Sequence, residues 1–295
     1  MKIQQAKLYG KKELTSSPTP ELDTALLLQH ITGFDRTHLL LNRDTELTAE
    51  QEEKFVSCIE KRKTGLPVAY ITGHKEFFGR DFYVTQDVLI PKPDTELLVE
   101  LALDALEDKF RSRPGIIPTV CDMCTGSGCV GISINAECRT RNAEIKLTLA
   151  DISEKALAVA GKNAERILGT NYALICTNLF EQIPQSFDLI VTNPPYVPHS
   201  QAIDLLKDGR SEPLLALDGD VTSDGASSGT DDGLALIRRL VPQCYEHLNR
   251  NGVLIMETGE YNAEETAGLF RQAGFRDVRI ECDMNEMLRD VIGVR

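Results

Sequence analysis

Residues 119–131 read Thr-Val-Cys-Asp-Met-Cys-Thr-Gly-Ser-Gly-Cys-Val-Gly, a short apolar run that ends in a glycine-rich loop. The pattern predicts a buried strand over 119–123, a tight loop over 124–128 and a helix over 129–138. Working outward, the same alternation repeats. Lys146–Ala150, Tyr172–Cys176, Phe187–Thr192 and Gly252–Glu257 read as further strands, and 153–168, 232–248 and 262–273 as helices between them. Strands that alternate with helices form a mainly parallel sheet covered on both faces, so the fold class is α/β. The end differs: Val278–Glu281 and Val291–Val294 are joined by a short connection, which predicts antiparallel pairing of the last strand. Residues 219–230 are small and polar and predict a mobile loop.

Upstream the pattern changes. Phe77, Phe78, Phe82, Tyr83 and Val84 surround Gly79-Arg80-Asp81, with Val88-Leu89-Ile90 behind them, a hairpin signature over 75–92. A helix opens at Pro93-Asp94-Thr95-Glu96 and runs through Leu106. The first seventy or so residues look helical. Thr19-Pro20 leads an apolar pattern that stops at Gly33, and Thr48 with Gln51 makes a capping box ahead of Phe55, Ile59 and a Lys-Arg-Lys exit. The expected organisation is a helical domain over 1–74, a β-hairpin linker over 75–93 and an α/β domain over 94–295. No internal repeat is present.

Composition narrows the functional classes. With 42% apolar and 26% charged residues over 295 positions, the chain has the make-up of an ordinary globular protein. No apolar run reaches the roughly 18 residues that span a bilayer, and Met1-Lys2-Ile3-Gln4-Gln5 leads no hydrophobic stretch. A cytoplasmic location without membrane attachment is expected. The eight cysteines are scattered and lie mostly in apolar segments, where a thiol packs as a small hydrophobe. Cys121 and Cys124 have metal-like spacing, but no second pair completes four ligands, so no metal site is expected. A net charge of −13 lacks the basic stripe of a nucleic-acid binder; it reads equally as solubility or as attraction for a basic protein partner.

The loop that ends the 119–123 strand carries the first chemical signal. Ligands bind beyond the carboxyl ends of parallel strands, where glycines admit the backbone and a helix N-terminus favours an anion. Gly126, Gly128 and Gly131 satisfy G-x-G-x-x-G, and Asp151 ends the next strand at the spacing of a ribose-binding acid. This much fits a dinucleotide or S-adenosylmethionine equally. Asp122 favours S-adenosylmethionine, because methyltransferases place an acid there, oriented to the methionine amine.

The second signal is Asn193-Pro194-Pro195-Tyr196, into which the strand 187–192 runs directly. Two prolines fix φ and disfavour helix at the residues preceding them. The segment then holds Asn193 and the Pro194 carbonyl outward at a strand end. Two fixed acceptors match the two in-plane hydrogens of a planar –NH2 group, and Tyr196 offers a flat face for stacking. Methyl transfer to such a nitrogen is the chemistry this arrangement suits, with positioning supplying much of the rate.

With these motifs in hand, the chain closely resembles the PrmC/HemK family of protein-(glutamine-N5) methyltransferases, which modify peptide chain release factors. The resemblance covers nearly the whole chain. It runs through Pro67-Val68-Ala69-Tyr70-Ile71-Thr72-Gly73, Glu76-Phe77, Leu89-Ile90-Pro91-Lys92-Pro93-Asp94-Thr95-Glu96 and Asp122 to Gly128. It continues through Asn193 to Tyr196, Glu212 to Leu217 and Arg289-Asp290-Val291-Ile292-Gly293. It implies a seven-stranded, Rossmann-like class I methyltransferase domain behind a small helical substrate-binding domain. It also implies S-adenosylmethionine contacts from Asp122, Cys124, Thr125, Gly126, Ser127, Gly128, Asp151 and Asn193, and a substrate glutamine held by Asn193, Pro194, Pro195 and Tyr196. Release factors would be the partners of an enzyme acting as a monomer without direct nucleic-acid contact. Four features depart from the family pattern: Cys124 in place of a loop glycine, Lys92 for an arginine, Asn178-Leu179 for an acid and an aromatic near the adenine, and the 219–230 insertion.

Three other classes compete. A nucleic-acid amino-group methyltransferase shares the Asn-Pro-Pro-Tyr geometry but wants a basic face. An NAD-linked oxidoreductase fits the glycines and leaves Asn193 to Tyr196 unexplained. A non-catalytic binding protein would follow if the altered loop no longer took the cofactor.

Overall fold

The structure is a computed structural model describing residues 1–207, 212–222, 226 and 228–295, with only the backbone of Lys207. Met1–His74 and, among the described residues that follow Asp204, residues 205–207 form one compact unit, and Lys75–Asp204 together with Glu212–Arg295 form a second.

The first unit is a bundle of α1 (Ile3–Glu13), α2 (Pro20–Thr32), α3 (Arg36–Leu41), α4 (Ala49–Lys63) and α5 (Val68–Thr72). The α2 stop is Gly33, whose φ of 71° and N–H bond to the Gln29 carbonyl form a left-handed cap. The α4 start is a reciprocal capping box between Thr48 and Gln51. Ile3, Leu27, Leu28, Phe55 and Ile59 fill the core. Asp23, buried, receives Arg62 Nε at 2.6 Å together with the Ser17 and Thr19 hydroxyls. The short helices α1, α3 and α5 carry weak periodicity and were not individually legible in the sequence.

A hairpin follows, β1 (His74–Phe77) and β2 (Arg80–Tyr83), all but its first residue in the second unit. Its turn residues Phe78 and Gly79 both have positive φ, the backbone that matches strand twist in two-residue hairpins. Val88-Leu89-Ile90 is not a strand, although the hairpin signature extended over it. Pro91 and Pro93 remove ladder donors just beyond it, and the Ile90 N–H goes to the Glu212 side chain instead.

Next follow α6 (Glu96–Ser112), β3 (Thr119–Met123), α7 (Cys129–Thr140), β4 (Lys146–Asp151), α8 (Glu154–Leu168), β5 (Tyr172–Cys176) and β6 (Phe187–Thr192). The chain ends with α9 (His199–Lys207), α10 (Ala235–His247), β7 (Leu248–Glu257), α11 (Ala263–Ala273), β8 (Arg276–Cys282) and β9 (Leu288–Val294). The sheet is seven-stranded in the order β5-β4-β3-β6-β7-β9-β8. Pairings from β5 to β7 are parallel, and β9 runs antiparallel to both β7 and β8. This is the expected α/β class with the expected reversal at the end. Every residue of β6 is buried, because helices cover both faces of the sheet centre.

The order reverses at β3, which pairs β4 on one side and β6 on the other. Connections leave the two strands in opposite directions there and open a crevice beyond their carboxyl ends. Met123 pairs with Thr192 in the β3–β6 register, so the glycine loop and Asn193 leave the sheet side by side.

Part of the insertion at 219–230, expected to be a mobile loop, falls on residues 223–225 and 227, outside the described residues. The rest is tied down: Asp220, fully buried, accepts from Gly233 N at 2.7 Å and Thr230 Oγ1 at 2.9 Å, and its carbonyl accepts from Ser228 N.

Candidate active site

Beyond the carboxyl ends of β3 and β6 lies an open cavity of about 1240 Å3, its mouth included. Of the residues singled out from the sequence, Asp122, Cys124, Thr125, Gly126, Ser127, Asp151, Asn193 and Pro195 line it. Gly128, Pro194 and Tyr196 do not.

The three glycines of the loop have separate physical roles. Gly126 has φ +53° and open space where a side chain would sit, so its backbone faces the cavity. Gly128 has φ +81°, and a Cβ there would meet Ile132 at 2.6 Å and Ala160 at 3.3 Å. It starts α7 and lets α8 approach. A Cβ on Gly131 would lie 2.9 Å from that of Asp122. Gly131 therefore sets the close packing of α7 on β3, and its N–H donates to Asp122 Oδ2 at 2.9 Å.

Asp122 is almost fully buried, and its Oδ2 also accepts from Thr125 Oγ1 at 2.6 Å. Burial pushes its carboxyl up to about 7, against the two hydrogen bonds that favour its charged form. Asp151, at the end of β4, accepts from Gly126 N and Ser153 N, both at 2.9 Å. Burial raises it as well. Its carboxylate thus braces the loop as well as facing the cavity.

Cys124 sits at φ +60°, in the left-handed region that glycine adopts freely and other residues at a cost of roughly 1–2 kcal/mol. Burial pushes its thiol far above the ordinary range. Cys124→Gly is expected to leave stability within about 1 kcal/mol of the parent, since relief of the strained φ offsets the extra chain entropy. Cys124→Val, β-branched at the same φ, should cost about 2 kcal/mol or more. Thermal melting of the two variants checks this; equal melting temperatures would mean that backbone strain is not what distinguishes them.

On the β6 side, Asn193 Nδ2 donates to Thr95 Oγ1 at 3.2 Å. Among the described residues the Pro194 carbonyl accepts no hydrogen bond, whereas the Tyr196 carbonyl accepts from Tyr261 OH at 3.1 Å and Asn262 Nδ2 at 3.2 Å. Tyr196 OH donates to Glu257 Oε1 at 3.2 Å. Burial and the neighbouring Glu257 charge push this phenol well up. The segment is therefore held at its far end and leaves acceptors free at its near end.

Several residues of this apparatus carried no signal in the sequence. Glu257, Asn262 and Gly233 stand alone in it, and only folding brings them to Tyr196. Thr95 belongs to the Pro-Lys-Pro-Asp-Thr-Glu stretch, yet nothing in that stretch gives its hydroxyl a role. Asn163 had a signal in hindsight, a lone amide on the buried face of α8. It pairs with Tyr83 through both its backbone groups and bonds the Ser127 carbonyl at 2.9 Å, tying the hairpin to the glycine loop. The cysteines are all free thiols, and no group of three or more metal-binding side chains occurs among the described residues. No helix among those residues is long and apolar enough to cross a membrane.

Comparison with known proteins agrees with this architecture. The sequence profile of the PrmC N-terminal domain matches residues 5–73, and that of the methyltransferase small domain matches 98–209. The chain is 32% identical over 302 residues to a release factor glutamine methyltransferase of Clostridium acetobutylicum, covering 100% of this chain and 99% of the relative. It is 36% identical over 290 residues to the Leptospira interrogans protein of the same name, covering 97% and 93%. In fold it is similar to the T. thermophilus 16S rRNA N2 G1207 methyltransferase, at a TM-score of 0.50 and 15% identity, over 75% of this chain and 49% of that one. With near full-length identity above 30%, a matching N-terminal domain and the seven-stranded sheet, the chain belongs to the release factor glutamine methyltransferase family.

Proposed function

We propose that this chain transfers a methyl group from S-adenosylmethionine to the side-chain amide nitrogen (N5) of the glutamine in the Gly-Gly-Gln loop of a peptide chain release factor. The observation that carries this reading is the β3–β6 register, which brings the cavity-lining glycine loop beside Asn193, itself in the lining; the next carbonyl, that of Pro194, accepts no hydrogen bond among the described residues.

The residues present fit the cofactor. Asp122 and Asp151 are buried carboxyls that line one cavity, where an ammonium would favour the ionised form of the first and a pair of ribose hydroxyls would donate to the second. Gly126 leaves room for close approach. When bound, S-adenosylmethionine supplies an electrophilic sulfonium methyl. Asn193 and the Pro194 carbonyl accept the two amide hydrogens of the glutamine, hold its nitrogen in line and keep electron density on it; one of those protons leaves the nitrogen after transfer. Pro194 and Pro195 keep the two acceptors from moving apart. Tyr196, outside the cavity lining, is read as fixing the segment through its hydroxyl on Glu257 and as the ring nearest the glutamine once the substrate enters. Residues 1–74 are read as the domain that grips the folded factor, 75–93 as a hairpin linker and 94–295 as the catalytic domain. The enzyme is read as a cytoplasmic monomer with no direct hold on nucleic acid, in keeping with its charge of −13.

Asp122 makes cofactor binding depend on pH. Its folded carboxyl titrates at about 7, and only the ionised form attracts the methionine ammonium. Lowering pH from 7.5 to 6 cuts that fraction about eightfold for a group at about 7, so affinity should fall by a similar factor. Asp122→Asn should bind weakly at both pH values. Calorimetric titration checks this, and a parent affinity equal at pH 6 and 7.5 would remove the role given to Asp122.

The function is tested with labelled S-adenosylmethionine, the intact factor, a Gln→Ala factor, the loop peptide and duplex DNA, locating label by mass spectrometry. Label is expected on the glutamine of the intact factor, less on the peptide, and none on the other two. Label on DNA or on the Gln→Ala factor would refute the substrate, and equal efficiency on peptide and intact factor would remove the role of residues 1–74.

A further inference from the structure

One wall of the cavity is a strip of chain laid along the exit of the Asn-Pro-Pro-Tyr segment. Pro213, Leu215, Ala216 and Asp218 line the cavity together with Asn193 and Pro195. Two backbone bonds join the strip to Val197: Val197 N donates to the Leu217 carbonyl and Gly219 N to the Val197 carbonyl, both at 2.9 Å. The approach is close. A Cβ on Gly219 would overlap the Gly233 carbonyl oxygen and stand 2.9 Å from that of Pro195. A third tie is made by side chains, His199 Nδ1 donating to Asp218 Oδ2 at 2.5 Å.

This pair is built unequally. Asp218 is fully buried, whereas the His199 side chain is 39% exposed. The other Asp218 oxygen accepts a backbone N–H, that of Asp220, at 2.9 Å. Among the described residues no lysine or arginine pairs with Asp218, so the imidazole is the cation available to it. A buried carboxylate left without its cation is costly. Charged, the ring makes a charge-assisted bond, roughly twice as strong as the neutral one that remains after it loses its proton. Because the ring is open to water, that proton exchanges without unfolding.

The titratable groups facing the ring are acids. Asp218 and Asp220 come from the end of the strip, and Asp231 from the turn before α10. Asp220 and Asp231 also accept from the first N–H groups of α9, those of His199 at 3.4 Å and Ser200 at 2.8 Å. Asp232, next to Asp231, is taken up by Arg238, and Tyr261 faces Asp220. The bond to Asp218 and then its charge hold the imidazole above its ordinary range.

We propose that the His199–Asp218 pair is a latch that holds the 213–218 wall of the cavity against the Asn-Pro-Pro-Tyr segment, with His199 the positioning residue that closes it when charged. The sign of the pH effect follows. A group raised in the folded state contributes fully below its unfolded value, and the contribution is lost as pH rises through the folded one. The latch is therefore tight on the acid side of neutrality and loosens in mild alkali. The two Val197 bonds remain, so the wall shifts and does not leave, and a shift near 1 Å at a reacting centre is enough to slow turnover.

The kinetic test rests on the glutamine methyltransferase reading; two further measurements do not. At saturating cofactor, where the titration of Asp122 no longer enters, kcat/KM for the intact factor should fall at least about threefold from pH 6.5 to 9. His199→Asn keeps a neutral donor where Nδ1 stands and should give a flat profile near the level that the parent reaches at pH 9. Asp218→Asn should flatten the profile too. Nuclear magnetic resonance of the imidazole should place the parent His199 midpoint above the ordinary value of about 6.5, and Asp218→Asn should return it toward that value. Hydrogen exchange of the Val197 and Gly219 amides at pH 6.5 should be at least about fivefold slower in the parent than in His199→Asn, with the gap closing at pH 9. A parent profile that falls no more than that of His199→Asn, a midpoint at or below the ordinary value, or equal exchange at pH 6.5 would overturn the latch. Should Asp218→Asn fail to fold, His199→Asn decides. If the parent labels no factor at any pH, the function reading fails, and the imidazole titration and amide exchange still decide the latch.

Discussion

Asn193→Ala is expected to lower turnover on the intact release factor by about a hundredfold to a thousandfold, the usual loss when one pre-oriented polar group at a reacting centre is removed. Affinity for the factor should change far less. The asymmetry follows from where the residue acts. An amide nitrogen is a poor nucleophile because its lone pair is shared with the carbonyl, and acceptors on its hydrogens count most as that sharing is lost on the way to the transition state. Asn193 is held for this by the bond from Nδ2 to Thr95 and by the prolines that follow it. In the ground state the substrate exchanges one hydrogen bond for another with water, so binding shifts little. Steady-state kinetics checks the split. A variant with near-normal kcat would show that Asn193 is not at the reacting centre, and an equal loss in kcat and in factor binding would make it a docking residue instead.

Gly233→Ala is expected to damage both fold and turnover, although Gly233 does not line the cavity. Its φ is +75°, and a Cβ there would overlap the Tyr196 carbonyl oxygen and come within 2.8 Å of its carbon. No rotamer relieves a collision between two backbones, so the Asn-Pro-Pro-Tyr segment or the 231–234 turn has to move. That carbonyl is also the one bonded by Tyr261 and Asn262. Overpacking and a left-handed φ together should cost about 3 kcal/mol or more. In a chain of this size that lowers the melting temperature by several degrees, on the order of 6–12 °C. Turnover on the factor, measured well below the melting point, should fall at least about tenfold, since a shift near 1 Å at a reacting centre costs that much or more. Melting and kinetics that both match the parent would mean that the turn yields freely and does not set the position of Tyr196.

The chemistry-bearing motifs were legible because each is local. A strand closing in Cys-Thr-Gly-Ser-Gly, an acid at the end of the next strand, and Asn-Pro-Pro-Tyr after β6 are short segments whose backbone preferences act within a few residues. Period and alternation likewise located all seven strands and the antiparallel end. Failures had local causes too. Val88-Leu89-Ile90 looked like a strand by its apolar run, but flanking prolines deny it a partner. The helices α1, α3, α5 and α9 escaped because their ends and faces are set by packing, not by intrinsic pattern.

The sequence by itself thus determined the class of fold, the two loops that meet at the sheet switch point, and the family. Only the tertiary structure decided that Cys124 occupies a conformation suited to glycine, that Gly128 and Gly131 serve helix packing while Gly126 faces the cavity, and that Thr95, Glu257, Asn262 and Gly233 hold the Asn-Pro-Pro-Tyr segment. The physical reason is range. Dihedral preference and hydrophobic period are carried by neighbouring residues, whereas a hydrogen bond between Tyr196 and Glu257 joins positions 61 residues apart and exists only once β6 and β7 have paired.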